Sequence, residues 1–185
     1  PSKETLLDDP LRLLRVIRFS TRFQYKIVPE LIEAMQDPVV HEHLMQKVSR
    51  ERIGIEIDKI LHDRYGLQGM FLVNQAGVFN SVFGCQDLSK RSGVEFEGKP
   101  TSIEGIDALL NAFAKIIYFN SEWNKSQLRL GLLACALLPS AGQKYRVKSP
   151  SQQNPQHSGV KEDFVVHVII RDCLKLSNKD ICAEG

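Results

Sequence analysis

Apolar residues recur along this chain at three- and four-residue steps, and alternation suited to strands is nearly absent. Ile106, Leu109, Leu110, Phe113, Ile116 and Ile117 show the pattern most clearly. That spacing puts one buried face on a helix advancing about 100° per residue. A chain patterned this way builds its core by packing helices, so the expected fold class is all-α. Breakers divide the pattern into segments. Helices are expected at Leu11–Phe23, Glu30–Met35 (opened by Pro29), Pro38 to about Gln46, Arg50–His62, Leu67–Gln75, Lys125–Leu138 and Gly159–Leu176. A longer one runs from a Ser102 cap to Phe119. Asp8 or Asp9 is a candidate cap for the first, with Pro10 in its first turn, and Ser49 for the helix at Arg50. Phe71 to Phe83 could hide a short strand. Gln86–Thr101 and the polar segment 140–158 read as loops, the latter flexible. With 185 residues there is room for one domain or two small ones sharing a core. The division expected is 1–64 followed by a helical body, 65–185.

Composition excludes little beyond extended disorder and a membrane span. The longest apolar run, Leu128–Leu138, is about half of what a bilayer needs, and it contains Arg129. Cys85, Cys135, Cys173 and Cys182 lie far apart without CxxC spacing, so a zinc ribbon is unsupported. Cys135 and Cys173 sit in apolar helical patterns and read as small core residues. The first residue is Pro1 rather than Met, so the chain is expected to be a piece of something longer, with any targeting peptide out of view.

The net charge of +2 hides an uneven distribution. Between Pro10 and Pro29 stand Arg12, Arg15, Arg18, Arg22 and Lys26, with no acid. Taking Arg12 as zero on a helical wheel, Arg15, Arg18 and Arg22 fall at about −60°, −120° and −80°. They share one arc, with Asp9 on the other side of Arg12, and Leu13, Leu14, Val16 and Ile17 cover the remaining girth. Such a stripe is either a solvated, salt-bridged face or an anion site. Guanidinium forks at successive turns suit a polyphosphate.

The wording of this stretch, Asp8-Asp9-Pro10-Leu11-Arg12-Leu13-Leu14-Arg15-Val16-Ile17-Arg18-Phe19, resembles the neck motif of class II tRNA nucleotidyltransferases. These are the CCA-adding enzymes, grouped with bacterial poly(A) polymerases. Downstream, Ser49-Arg50-Glu51-Arg52-Ile53-Gly54-Ile55-Glu56-Ile57-Asp58-Lys59-Ile60-Leu61 resembles the next motif of that family, in the family's order and about its spacing. From about residue 65 onward only helical character agrees. The resemblance implies that 1–64 is a neck, with Asp9 and Arg12 as an amino-acid template for the incoming base and Arg15 and Arg18 as further nucleotide contacts. Ser49, Glu51, Arg52, Glu56 and Lys59 are assigned to scaffolding. It also implies ATP and CTP as substrates, tRNA as partner, and Mg2+ held by an N-terminal head domain. The implied location is cytoplasmic, mitochondrial or nuclear, with no membrane. The head's glycine-rich strand-turn and Asp-x-Asp pair have no counterpart here, so two-metal phosphoryl transfer cannot be assembled from these residues and the piece alone is expected to be inactive. The alternatives are a poly(A) polymerase of the same superfamily and a non-catalytic helical RNA-binding or interaction module.

Other residues carry weaker signals. His41, His43 and His62 with Asp63 invite a metal reading, but His41 and His43 point about 200° apart on a helix, so polar surface histidines are expected. For His62, a helix C-terminal interaction with the dipole is expected. His167 reads as a core histidine. Trp123 and Tyr118 read as core aromatics before RNA-stacking ones. Lys144, Arg146, Lys148 and Lys161 flank the polar segment, either as a solvated loop or as contacts to the tRNA backbone.

Overall fold

Proline and short polar side chains set several of the observed boundaries in the computed structural model of the chain, which describes residues 2–84, 94–97, 105–119, 122–148 and 160–176. The elements are α1 (Lys3–Asp8), α2 (Leu11–Phe23), α3 (Pro29–Met35), α4 (Pro38–Lys47), α5 (Arg50–Leu61), α6 (Gly66–Gln75) and α7 (Phe79–Phe83). After these come β1 (Val94–Glu97), α8 (Ile106–Phe119), α9 (Lys125–Leu137), β2 (Lys144–Lys148), β3 (Val160–Phe164) and α10 (Val165–Val168). A 3-10 turn, Leu138–Ser140, ends α9, and a wider turn, Ile169–Cys173, continues α10. Pro29 and Pro38 occupy first-turn positions, where a missing N–H costs no hydrogen bond. The Asp37 carboxylate accepts from the Val39 N–H at 2.8 Å and caps α4. Ser49 Oγ accepts from the Arg52 N–H, as expected for α5. Asn124 and Gln127 form a reciprocal capping box at α9, both bonds 2.9 Å.

The all-α expectation holds for most of the core, to which the strand β2 adds Tyr145. Leu13, Leu14 and Ile17 of α2 meet Ile53, Ile57 and Ile60 of α5 and Met70 and Val73 of α6, all fully or almost fully buried. The buried cluster runs on through Leu110 and Phe113 of α8 to Leu132 and Leu133 of α9. Helices α2, α5 and α6 approach closely at Gly69, where an added Cβ would lie 2.5 Å from Ile60 Cγ2 and 3.1 Å from Thr21 Oγ1. Among the described residues, no helix is long and apolar enough to cross a membrane.

Several local expectations need correction. Neither Asp8 nor Asp9 caps α2. Pro10 takes the N-cap position, and the chain enters helix through a backbone bond from the Arg12 N–H to the Asp9 carbonyl, 3.0 Å. Residues 79–83 are helix rather than strand, and α1 escaped the sequence pattern because it is only 6 residues long. The region expected as the last helix begins as strand β3, and the polar segment 140–158 contains β2; positions 149–159 lie outside the described residues. The central β2 pairs antiparallel with β1, Val94 opposite Val147, and with β3, Lys144 opposite Phe164. This small sheet supplements the helical core, and its strands are too short for alternation to be read reliably. The Ser102 cap lies outside the described residues, as do Cys85, Cys182 and all of Gln86–Thr101 except β1.

Single side chains differ too. Trp123 packs edge-on against Phe113, with centroids 5.3 Å apart, as a core aromatic should. Tyr118 does not: it is exposed at the end of α8, as are Ile116 and Phe119. His167 is exposed beside Phe164 rather than buried. His41 and His43 do diverge, but both are tied to main chain. His41 Nε2 lies 2.7 Å from the Met35 carbonyl oxygen, and His43 Nδ1 3.3 Å from that of Leu7. Cys173 is buried, and Cys135 is half-buried with its thiol pushed up by desolvation.

Candidate nucleotide-selecting site

The stripe of arginines on α2 does not face solvent alone, because α5 lies across it. Helix α2 turns its apolar side, Leu13, Leu14 and Ile17, into the core, which leaves Arg12, Arg15 and Arg18 along its edge. On α5 the buried positions Ile53, Ile57 and Ile60 share a face with Glu56, which is only 4% exposed. A buried carboxylate requires counter-charge, and α2 supplies it. Arg18 Nε donates to Glu56 Oε2 at 2.6 Å, Arg15 Nε stands 3.9 Å from Oε1, and Lys59 Nζ stands 3.6 Å from Oε1. The Arg18 guanidinium also lies 4.1 Å above the Phe19 ring.

Asp9 forms the second, more open half. Because the main chain handles the start of α2, its carboxylate is left to the arginines. Arg12 Nε stands 3.7 Å from Asp9 Oδ2, Arg15 Nη1 3.9 Å from the same oxygen, and Arg52 Nη2 3.9 Å from Oδ1. These are ion-pair distances, too long for hydrogen bonds. The Asp9 side chain is 31% exposed, and those of Arg12, Arg15 and Arg52 are 47%, 44% and 50% exposed. Within this cluster five cations (Arg12, Arg15, Arg18, Arg52 and Lys59) meet two carboxylates. The field is positive, and the hydrogen-bonding edges of Asp9 and Arg12 remain accessible. Chemically the cluster can receive an anion, and it can present one acceptor and one donor side by side to a planar polar edge.

Seven of the nine residues singled out in the sequence therefore converge. Ser49 and Glu51 do not. Ser49 caps α5, and Glu51, pulled below its ordinary value by its own N–H and by the Ser49 hydroxyl, lines a neighbouring groove with Lys59 and Lys175. Two features escaped the sequence reading. Arg129 of α9, buried, donates from Nε and Nη2 to Asp58 Oδ1 at 2.9 and 2.7 Å and ties α5 to α9. Its signal was a lone charge within an apolar run. The other feature is the row Phe19, Phe23 and Tyr25 along the exposed side of α2, whose signal was aromatic residues interleaved with arginine. Among the described residues, no group of three or more His, Cys, Asp or Glu side chains could hold a metal ion. The residues of this site, two carboxylates each facing arginines, do not fit Mg2+.

Comparison with known proteins agrees with the two motifs. The mitochondrial CCA tRNA nucleotidyltransferase of Saccharomyces cerevisiae is 39% identical over 104 residues, 49% of this chain and 19% of the relative. The CCA-adding enzyme of Lactococcus lactis is 31% identical over 118 residues, 61% of this chain and 28% of the relative. The tRNA nucleotidyltransferase cca2 of Schizosaccharomyces pombe is 29% identical over 174 residues, 94% of this chain and 32% of the relative. Likeness thus extends well past residue 65, where the motifs end. The chain spans about a fifth to a third of the length of these relatives. No family profile and no solved structure matches.

Proposed function

We propose that this chain, a relative of the CCA tRNA nucleotidyltransferases, is the neck (1–64) and body (65–185) of such an enzyme, with Asp9 and Arg12 choosing the nucleotide to be added. The observation that carries this reading is the open Asp9–Arg12 pair, 3.7 Å apart and partly exposed, with Arg15 alongside. Cytosine and adenine each present an exocyclic amino donor beside a bare ring-nitrogen acceptor. A carboxylate accepts from the first while a guanidinium donates to the second. Guanine and uracil present a carbonyl and a ring N–H at those positions, so donor would meet donor and acceptor would meet acceptor. Discrimination through unpaired polar groups is the strong form of specificity. Arg15 and Arg18 act as further contacts to the nucleotide, ATP or CTP, and Glu56 holds both in place from α5. Phosphoryl transfer and its Mg2+ belong on this reading to a head domain outside these residues, and the acceptor is the tRNA 3′ end.

The test is nucleotide preference in the full-length protein that contains this chain. With a tRNA lacking its 3′ end, CTP and ATP should be incorporated and GTP and UTP refused. Arg12→Ala should erode that choice more than it lowers total incorporation. Use of ATP alone would indicate a poly(A) polymerase. Unchanged base choice in Arg12→Ala would overturn the template role and favour a helical RNA-binding or interaction module.

A further inference from the structure

The exposed side of α2 carries a second arrangement that base selection does not use. Phe19 and Phe23, one turn apart, lie nearly parallel, with centroids 6.0 Å apart and planes 10° apart. Tyr25 continues the row, 5.7 Å from Phe23 at 30°. Its position comes from the end of the helix. Gln24 adopts a left-handed conformation (φ 56°), which turns the chain back so that the Tyr25 N–H donates to the Ser20 carbonyl at 3.0 Å. Phe23 is 52% exposed and Tyr25 68%. The near face of Phe19 is taken by Arg18, so Phe23 and Tyr25 offer the free ring surface. The Arg22 guanidinium stands 5.9 Å from the Phe23 ring.

This row borders an open cleft of about 460 Å³ that reaches back to Arg12 and Arg15. Its charged lining residues, Arg12, Arg15 and Lys26, are all cations, and no acid occurs between Pro10 and Pro29. From Arg12 to Phe23 is eleven residues, roughly 16 Å at about 1.5 Å per residue. Contiguous exposed rings mark a binding surface. Rings joined to a cationic track, with no carboxylate among the described residues that line the cleft, match a strand that alternates flat bases with phosphates better than they match a protein surface of mixed charge.

We infer that Phe23 and Tyr25 form a stacking platform for unpaired bases of an RNA strand whose phosphates follow Arg22 and Lys26. The inference rests on the proposed function only for the identity of the strand as a tRNA 3′ end; the stacking chemistry stands on the ring geometry.

The experiment titrates the full chain with a dye-labelled single-stranded RNA octamer carrying 2-aminopurine near its 3′ end, reading anisotropy for affinity and 2-aminopurine fluorescence for stacking. Binding should quench the 2-aminopurine. Phe23→Leu and Tyr25→Leu keep apolar bulk but remove the ring, and each should weaken binding about five- to a hundred-fold and relieve the quench. Arg22→Gln should weaken binding and flatten its salt dependence. Both aromatic side chains are exposed, and circular dichroism checks that the variants fold. Parent-like affinity and quench in the two leucine variants would overturn the platform and leave a protein-docking face as the reading. Equal affinity for a duplex of the same length would also overturn it. Failure here is distinct from failure of the template. Loss of base choice in Arg12→Ala with the quench intact in the parent supports both readings. An absent quench beside intact base choice removes only the platform.

Discussion

The Arg18 guanidinium is joined to the Glu56 carboxylate by a 2.6 Å hydrogen bond between α2 and α5, with side-chain exposures of 15% and 5%. The bond links the two sequence motifs through residues 38 positions apart. It also divides the arginine stripe by pairing. Arg18 is held by Glu56, whereas Arg12 stands loosely paired at the open end.

Removing Glu56 should therefore strand buried positive charge. Glu56→Ala is expected to lower unfolding free energy by about 3–5 kcal/mol, as breaking one side of a buried ion pair does. Replacing both partners with methionine should recover most of that loss, because two apolar side chains leave no charge to solvate. Urea denaturation of Glu56→Met, Arg18→Met and the double variant measures the coupling. A double variant no better than the singles would contradict this account.

A similar asymmetry applies to Arg129 and Asp58. Arg129 is almost fully buried while the Asp58 side chain is 31% exposed. Asp58→Ala should thus be the more damaging change, since it removes the carboxylate that accepts two hydrogen bonds from a buried guanidinium. Arg129→Met should be milder, because water can reach the Asp58 carboxylate that remains. Equal melting temperatures for the two variants would refute this ordering.

Gly54 is where α5 touches Leu174, just after the wider turn that continues α10. A Cβ there would lie 1.9 Å from the Leu174 carbonyl oxygen, a main-chain atom that cannot rotate away. Gly54→Ala should cost about 1–3 kcal/mol through overpacking, offset in part by the better helix propensity of alanine. The displaced segment is 169–176, so its amides should exchange faster with deuterium than those of α2. Unchanged exchange there would contradict the prediction.

Asp37 supplies a pH dependence. The Lys3 ammonium, the Val39 N–H and nearby positive charge hold its carboxyl below the ordinary value of 3.8. A carboxyl depressed in the folded state adds stability above its unfolded pKa. That contribution is lost as pH falls below about 3.8 and through the lowered folded value. The parent should lose stability over that acid range more steeply than Asp37→Asn, and the two curves should converge at the acid end. Parallel curves from neutral pH downward would show that the pair contributes nothing.

The helical class and the boundaries of α2, α3 and α4 were legible because prolines and three-four periodicity are local properties, written into neighbouring residues. The same holds for the stripe formed by Arg12, Arg15 and Arg18, since one helix places them together whatever surrounds it. The three short strands were not legible: pairing Val94 with Val147, or Lys144 with Phe164, joins residues distant in sequence, and runs of four or five residues carry too little pattern. Tyr118 and His167 failed for a related reason. Periodicity marks an apolar face but cannot say whether another element covers it.

The sequence by itself determined the cationic helix and the two motifs that carry its resemblance to the CCA tRNA nucleotidyltransferases. Only tertiary structure decided that Asp9 leaves the helix start to the main chain and turns to the arginines, that Glu56 lies buried beneath Arg18, and that Phe23 and Tyr25 stay uncovered. Side-chain charge and helix pitch are fixed within a few residues. Burial, and with it the strength of every ion pair named here, depends on which helix comes to lie across which.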